Sequence, residues 1–295
     1  MREGTGFIDV AGARAHYCVR GSGPLVLLLH GVPDHGEMWS PVIERLHGRY
    51  CCLTIDLPGL GRSVAAPDYD CKLESMARFV AGALDALDVK DPLHLAVHDY
   101  GGFYGNAFAS VHPERLRSLA ITNTIFQGDY RWHFWARVWR TPLAGELSAL
   151  VMRYPIARAE MRRGSPRIPE DHVRNSYALL NWSVRKMILK HYRALDPARD
   201  LPAWEERFLA ATAKLPKRVL WGRRDPYADE RFARRFGTDD VMIFPEAGHW
   251  VVVEEAEAVA ARMAEHFARA DAAQGLRHLL ADRTSPQSAP RLPSP

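Results

Sequence analysis

Residues 93–102, with the sequence LHLAVHDYGG, decide how the chain folds. The run at 93–97 is almost wholly apolar, which is typical of a strand buried on both faces of a sheet. Asp99 follows this strand, and Gly101 and Gly102 supply the small residues that a tight turn into a helix needs. A strand, a sharp turn and a helix in this order place Asp99 at the carboxyl edge of a sheet, where α/β proteins bind ligands. An aspartate that only caps the helix is the structural alternative.

Further apolar runs on both sides of this stretch predict strands, and amphipathic segments between them predict helices. Residues 7–10 and 14–19 suggest an antiparallel opening. Helices are predicted near 37–47, 73–87 and 252–270. The other predicted strands are 24–29, 51–55, 118–121, 218–221 and 241–244. Strands that alternate with helices predict an α/β fold with a mostly parallel central sheet flanked by helices.

Residues 125–216 interrupt this alternation. They show only helical patterns, hold five tryptophans, and carry 16 Lys and Arg against 9 Asp and Glu. We therefore predict a core formed by residues 1–124 and 217–273, with residues 125–216 inserted as a helical cap. Residues 274–295 contain four prolines and little periodicity, so we expect them to form a flexible tail.

The composition excludes several classes of protein. Among 295 residues, 47% are hydrophobic and 25% are charged, which is ordinary for a globular chain. Four scattered cysteines do not suggest a disulfide framework or a metal-binding site, so we expect reduced thiols and a cytoplasmic location. No segment has the pattern of a signal peptide or a membrane helix. The net charge of +4 gives no reason to expect nucleic-acid binding.

Three more motifs follow predicted strands. His30, Gly31, Val32 and Pro33 come after the strand at 24–29. Asp225 follows the strand at 218–221, and His249 follows the strand at 241–244. A lone histidine or a strand-end aspartate is usually structural. Asp99, Asp225 and His249, however, occur in the chain order nucleophile, acid, histidine that defines one class of hydrolytic triad.

These motifs resemble the α/β-hydrolase superfamily over roughly residues 5–270. Residues 56–63, DLPGLGRS, match a further turn of that superfamily, and His98, Asp99, Tyr100 and Gly101 are similar to the elbow of epoxide hydrolases and haloalkane dehalogenases. The resemblance implies that residues 125–216 roof an active site. One departure is Val97, which stands where the family usually has glycine and is expected to crowd the turn.

An aspartate at the elbow restricts the chemistry. Asp99 is already ionised, so it can attack an sp³ carbon and form an alkyl ester. His249, oriented by Asp225, would then activate a water that attacks this ester, with the backbone N–H groups of Val32 and Tyr100 as the oxyanion hole. Serine-esterase chemistry is disfavoured because the elbow has no hydroxyl. The scheme needs no metal and no cofactor.

Epoxide hydrolases and haloalkane dehalogenases differ in the leaving group of the first step, and each leaving group needs different residues around it. The His-Gly-Val-Pro sequence is similar to the H-G-x-P pattern of epoxide hydrolases, whereas many dehalogenases have Asn at position 32 and Trp at position 100. The family resemblance implies a cap tyrosine as the leaving-group acid, and Tyr192 is the first candidate and Tyr154 the second. We predict epoxide hydrolysis to a vicinal diol. The alternatives are dehalogenation of an alkyl halide or halo-acid, and a non-catalytic ligand-binding protein. The expected partner is a small apolar organic substrate, without nucleic acid or membrane, for a monomer or homodimer.

Overall fold

The computed structural model describes residues 1–10 and 12–284, and a nine-stranded sheet forms its centre. The strands are β1 (Gly4–Val10), β2 (Ala13–Arg20), β3 (Leu25–Leu29), β4 (Cys51–Ile55), β5 (Val64–Ala65), β6 (Leu93–His98), β7 (Leu116–Thr122), β8 (Lys217–Gly222) and β9 (Val241–Phe244). The α-helices are α1 (Ser40–Leu46), α2 (Leu73–Ala86), α3 (Gly101–Val111), α4 (Phe134–Arg140), α5 (Ala144–Val151), α6 (Tyr154–Gly164), α7 (Glu170–Ala178), α8 (Trp182–Ala194), α9 (Pro197–Ala211), α10 (Val251–Glu254) and α11 (Ala256–Thr284).

The order of the strands confirms the predicted sheet. It runs β1-β2-β4-β3-β6-β7-β8-β9, with the short β5 paired to β2. All neighbours from β4 to β9 are parallel, and β1 and β2 form the predicted antiparallel opening. The chain order changes direction between β3 and β6, so the loops that leave these strands adjoin each other. Such a switch point is where ligands of open α/β sheets bind.

The strands are buried on both faces because their apolar side chains alternate between two layers. In β3, Leu27 and Leu29 point into the cluster that contains α2 and α3, whereas Val26 and Leu28 point into the cluster that contains α1 and α11. This explains why the predicted strands are continuous apolar runs rather than alternating ones.

Between β7 and β8 the regular elements of the described chain are all helices, α4 to α9. Helix α5 packs on α4 and α8, and α6 packs on α7. Helix α9 instead packs on α3, where Arg207 Nε donates to the Ser110 carbonyl at 3.1 Å. The last part of the inserted segment therefore packs on helix α3 of the core.

The chain after residue 270 differs from the prediction. Helix α11 continues to Thr284, so residues 274–284 of the predicted tail are helical. The prolines that suggested irregular chain begin only at residue 286, and they do not disfavour a helix before them. Residues 285–295 lie outside the described residues. In the part of the chain that the structure describes, none of the helices has the length and apolar character to cross a membrane.

Candidate active site

The turn after β6 holds Asp99 in the left-handed region, with φ +46°. Neighbouring glycines make this turn possible because the backbone of the β3 loop approaches it closely. A Cβ atom on Gly31 would lie 2.4 Å from Asp99 Oδ1, and one on Gly101 would lie 2.5 Å from two carbonyl oxygens at the end of β3. Asp99 is thus presented by a strained turn that only glycine neighbours allow.

Val97 is accommodated rather than crowding the turn. Its side chain is fully buried beneath α3, and the facing position on that helix is Gly105. A Cβ atom on Gly105 would lie 2.3 Å from Val97 Cγ1. The volume that Val97 adds before the turn is therefore offset by the side chain that Gly105 lacks.

The loop after β3 reaches the carboxylate of Asp99. The backbone N–H of Val32 donates to Asp99 Oδ1 at 2.7 Å. His30 holds this loop, since its Nδ1 donates to the Gly31 carbonyl at 2.8 Å and its Nε2 accepts from the Leu57 N–H at 2.9 Å. Pro33 lines the adjoining cavity. Burial lowers the pKa of His30, which keeps the imidazole neutral.

The Tyr100 N–H, which is the second donor predicted for the oxyanion hole, differs from the Val32 N–H. Among the described residues, the Tyr100 N–H makes no hydrogen bond to Asp99, and the Tyr100 side chain turns away from the carboxylate. Its hydroxyl donates to the His191 carbonyl at 2.8 Å. One of the two N–H groups predicted for the oxyanion hole thus contacts Asp99 in this structure.

The structure brings Asp99, Asp225 and His249 together at the ends of β6, β8 and β9. His249 Nδ1 donates to Asp225 Oδ2 at 2.8 Å, and His249 Nε2 lies 3.5 Å from Asp99 Oδ2. The backbone N–H groups of Tyr227 and Ala228 donate to Asp225 Oδ1. The predicted chain order therefore corresponds to one connected arrangement of side chains.

Asn123, which directly follows β7, forms hydrogen bonds that connect the turns carrying Asp99 and Asp225. Its Nδ2 donates to Asp225 Oδ2 at 2.8 Å, and its Oδ1 accepts from the Gly222 N–H at 2.8 Å. Its carbonyl accepts from the Asp99 N–H at 3.2 Å. The position after β7 thus contacts both the β6 turn and the β8 turn.

The charges at the site stabilise one another. Burial disfavours the His249 imidazolium, but the carboxylates of Asp225 and Asp99 outweigh it and raise the pKa of His249 to about 10. Burial likewise opposes the Asp99 carboxylate, yet His249 lowers its pKa below the ordinary 3.8. His98, whose ring lies 4.8 Å from that of His249, stays neutral because burial lowers its pKa to about 3.

The end of α6 supports the loop that carries His249. The His249 N–H donates to the Gly164 carbonyl at 2.8 Å, and the Trp250 N–H donates to Ser165 Oγ at 2.8 Å. A Cβ atom on Gly248 would lie 2.1 Å from the Gly164 carbonyl oxygen. The inserted helices and the histidine loop are therefore in direct backbone contact.

A cavity opens above Asp99 and His249, and the two tyrosine candidates differ in relation to it. Tyr192, on α8, lines the cavity, and the nearby Asp99 carboxylate adds to the burial that raises its pKa well above 10. Within the described chain its hydroxyl has no protein hydrogen-bond partner. Tyr154 does not line the cavity, and its hydroxyl donates to Glu170. The start of α6 directs the Tyr154 side chain towards α7, so the structure does not bring this candidate to the cavity.

Four polar residues of the cavity lining were not predicted from the sequence: His133, Glu160, Arg185 and Tyr227. The His133 Nδ1 caps α4, and burial lowers its pKa to about 4. The Tyr227 hydroxyl donates to Glu160 Oε1 at 2.8 Å, and its ring lies 5.0 Å from that of His249. Tyr227 had a signal, since it stands two residues after Asp225 in the same turn. His133 had none, because histidines are common in this chain.

Residues 24–256 match the family model described as alpha/beta hydrolase fold. The chain belongs to this family. It is an α/β-hydrolase with the fold class predicted from the sequence, and its similarity to named haloalkane dehalogenases agrees with the predicted resemblance.

Named relatives of this α/β-hydrolase differ in the reaction that their names give. It is 29% identical to a cis-3-alkyl-4-alkyloxetan-2-one decarboxylase from Xanthomonas campestris, over 80% of this chain and 85% of that protein. It is 35% identical to a haloalkane dehalogenase from Agrobacterium fabrum, over 41% of this chain and 39% of that protein. The Cif epoxide hydrolase from Acinetobacter nosocomialis superposes with a TM-score of 0.75 at 20% identity, over 89% and 88% of the two chains, which shows a shared fold.

Proposed function

We propose that this α/β-hydrolase opens an epoxide to a vicinal diol through a covalent ester on Asp99. One observation carries the proposal: the Tyr192 hydroxyl and the Asp99 carboxylate face the same mostly apolar cavity. A nucleophile and a proton donor across one cavity are what the opening of a strained C–O bond needs. A cytoplasmic location and a division into core and cap at residues 125 and 216 belong to the same proposal.

In the first step, Asp99 Oδ2 attacks one epoxide carbon while Oδ1 stays hydrogen-bonded to Val32. The C–O bond breaks, and the alkoxide takes the proton of the Tyr192 hydroxyl. His133 is a second donor for the same oxygen, because its Nδ1 faces the α4 backbone and its neutral ring lines the cavity. The product is an ester of Asp99 and a new hydroxyl group on the substrate.

In the second step, His249 removes a proton from a water that attacks the Asp99 carboxyl carbon. The Val32 N–H stabilises the negative charge that develops on Oδ1. The tetrahedral intermediate collapses, the departing alkoxide takes the proton from His249, and the diol leaves. The Asp99 carboxyl group formed in this way gives its remaining proton to His249, which restores the imidazolium and carboxylate pair. A smaller cavity lined by Asp99, Asn123 and His249 is the space that we assign to this water.

Formation of the ester also prepares His249 for its role as a base. The Asp99 carboxylate is one of the two charges that raise the pKa of His249. Once Asp99 is esterified this charge is gone, so the pKa of His249 falls. The histidine is therefore an imidazolium while Asp99 is a free carboxylate. After the ester has formed, the imidazolium loses its proton and the Tyr192 phenolate takes one up, so that His249 is the neutral base of the second step.

Haloalkane dehalogenation is the second candidate, since the indole rings of Trp135 and Trp139 line the cavity and an N–H of that kind can bind a halide. Positions 32 and 100, where the usual halide donors of dehalogenases stand, argue against it: Val32 has no polar side chain, and Tyr100 is directed at His191.

An assay with three classes of substrate tests the proposal. Purified protein is given styrene oxide, a bromoalkane, and a cis-3,4-dialkyloxetan-2-one. Diol, bromide and carbon dioxide are measured. We expect diol only. With the His249→Gln variant, mass spectrometry of the intact protein should show the added mass of the epoxide, and peptide mapping should place it on the peptide that contains Asp99.

Each of the other possible results would show which part of the proposal is wrong. Bromide without diol would establish the dehalogenase, and carbon dioxide without diol would place the chain with its oxetanone decarboxylase relative. Diol from the Asp99→Asn variant at the wild-type rate would contradict the covalent route. A single turnover in ¹⁸O-labelled water gives an independent check, because the covalent route puts the label on Asp99 and not in the diol.

A further inference from the structure

Arg185 stands out among the residues that line the large cavity. It lies on α8 seven residues before Tyr192, two helical turns earlier, so both side chains project from one face of the helix. Seven residues correspond to about 10 Å along a helix axis. The backbone positions that carry the cation and the proposed acid are therefore about 10 Å apart along the helix axis.

The Arg185 guanidinium contacts only neutral groups. Its Nε donates to the Leu180 carbonyl at 2.9 Å and one terminal nitrogen to the Ala149 carbonyl at 2.7 Å. The other terminal nitrogen lies 3.4 Å from the Tyr177 hydroxyl. Among the described residues no Asp or Glu lies within salt-bridge distance of it. Since a guanidinium has five N–H donors, at least two remain for a ligand.

The other charged groups of the cavity are already paired. Asp99 faces His249 at 3.5 Å. Glu160 forms an ion pair with Arg163 at 2.5 Å and accepts from the Tyr227 hydroxyl. Among the charged residues of the described chain that line the cavity, Arg185 is therefore the one that has no oppositely charged partner. Apolar side chains line the cavity between it and Tyr192, including Ile188 and Leu189 on the same helix.

We infer that the substrate carries a carboxylate that binds Arg185, so that it is an epoxide at one end of a hydrocarbon chain and an anion at the other. A carboxylate can accept two charge-assisted hydrogen bonds from a guanidinium, which is stronger and more directional than its contacts with carbonyl groups. A separation of about 10 Å corresponds to roughly eight chain bonds at roughly 1.2 Å of extension per bond. This inference names the substrate class and rests on the proposed epoxide hydrolysis.

Matched substrates and variants test it. Terminal-epoxide acids with 4 to 14 carbons are compared with their methyl esters, using wild type, Arg185→Gln and Arg185→Lys. Glutamine keeps donors for the Leu180 and Ala149 carbonyls but removes the charge, and lysine keeps the charge. Lys186→Gln is the control, because Lys186 is the exposed neighbour of Arg185 on α8 and the change in net charge is the same.

Wild type should prefer the acid to its ester, with the largest preference at intermediate chain length. Arg185→Gln should raise the KM for the acid by roughly tenfold to a hundredfold, as for a lost charge-assisted hydrogen bond, with kcat and the KM for the ester unchanged. Arg185→Lys should retain part of the preference, and Lys186→Gln should retain all of it. Equal KM values for acid and ester in the wild type, or an acid preference that survives Arg185→Gln, would overturn the inference while leaving epoxide hydrolysis intact.

A binding measurement separates this inference from the proposed function. Saturated octanoate, which has no epoxide and cannot react, is titrated calorimetrically against octanol. Octanoate should bind the wild type and the Asp99→Asn variant, and binding should weaken in Arg185→Gln. Binding of octanoate without turnover of any epoxide would support the carboxylate position and reject epoxide hydrolysis. Equal binding of octanoate and octanol would reject the carboxylate position.

Discussion

The Tyr192 hydroxyl illustrates what a single residue contributes to the proposed reaction. Its pKa is raised well above 10 by burial and by the Asp99 carboxylate, so the phenol stays protonated over the whole working pH range. It can therefore donate to an alkoxide but cannot act as a base. Two tyrosines are equivalent candidates by residue type, and only the direction of each helix distinguishes them.

We predict that Tyr192→Phe lowers diol formation by roughly a hundredfold or more, because the alkoxide then forms without its acid. The loss should lie in the first step, so the ester should not accumulate, in contrast to His249→Gln. Stopped-flow assays and intact-protein mass spectrometry would measure both. Tyr154→Phe is the matched control and should turn over at the wild-type rate. Ester accumulation in Tyr192→Phe would assign the tyrosine to the second step instead.

Asn123 is a positioning residue, since it acts through Asp225. Asn123→Ala removes a hydrogen bond from Asp225 Oδ2 and leaves buried polar groups of Gly222 without their partner. We expect a cost of about 1–3 kcal/mol in unfolding free energy. We also expect slower hydrolysis of the ester, so that the adduct becomes visible during steady-state turnover with His249 present. Stability lost without any adduct would show that Asn123 has a structural role alone.

Asn106→Ala is the control for this prediction. Asn106 is also a buried asparagine, on α3, but its side-chain amide has no hydrogen-bond partner in the described protein. Its replacement should neither slow the second step nor produce an adduct.

At the scale of helices and strands, the contact between β6 and α3 shows how Gly105 makes room for Val97, which stands where the family usually has glycine. Gly105 in a helix interior costs roughly 1 kcal/mol relative to alanine, so Gly105→Ala would stabilise an uncrowded helix. Here the added methyl group would meet Val97 Cγ1 at 2.3 Å. Overpacking of a core costs roughly 1–3 kcal/mol, which is larger than the gain in helix propensity.

We therefore predict that Gly105→Ala destabilises the protein and that Val97→Ala in the same chain relieves the effect. Urea denaturation of the two single variants and the double variant forms a double-mutant cycle. The double variant should be more stable than the sum of the single changes. Gly48→Ala is the control, because nothing lies within 4 Å of the place that its Cβ atom would take. Additive effects would mean that α3 shifts to accommodate the methyl group.

The elements themselves could largely be predicted from the sequence, because buried parallel strands are continuous apolar runs and both predicted ends of 51–55 and 241–244 agree with β4 and β9. The proximity of Asp99, Asp225 and His249 could also be predicted, because each residue follows a parallel strand and parallel strands end at the same edge of the sheet. Tyr154 and His133 could not be assigned, because a helical pattern does not show how an inserted helix is oriented over a cavity. The end of α11 could not be placed because residues 271–284 have good helix formers but weak periodicity.

For the whole molecule, buried histidines set the response to acid. His94, His98, His191 and His266 are buried, and burial lowers the pKa of each to between about 3 and about 4. Their pKa in the unfolded chain is roughly 6.5. Between these values the unfolded chain binds protons that the folded chain does not, so the unfolding free energy falls as the pH falls from about 6.5 towards 4.

We predict a loss of up to about 1.4 kcal/mol per pH unit for each of these histidines across that window. His249 has the opposite sign, because its raised pKa contributes stability that is present below about 6.5 and is lost as the pH rises towards 10. Urea unfolding at pH 7.0, 5.5 and 4.5 measures the total. His266→Phe should reduce the fall in unfolding free energy between pH 7.0 and 4.5. His47→Asn, which replaces an exposed histidine, should leave that fall unchanged. An unfolding free energy that is constant down to pH 4.5 would contradict the prediction.

The backbone bond from His249 to Gly164 restricts how molecules enter and leave. The end of α6 cannot swing outward without breaking that bond and releasing the loop that carries the base. Helix α5 contributes Ala149 to the lining of the cavity, packs on α4 and α8, and has the exposed side chains Leu147 and Leu150. We therefore expect α5 to move more readily than the end of α6 when molecules enter or leave the cavity. Hydrogen exchange should then be faster at the α5 amides than at those of His249 and Trp250, whereas equal exchange rates would show that both walls of the cavity open together.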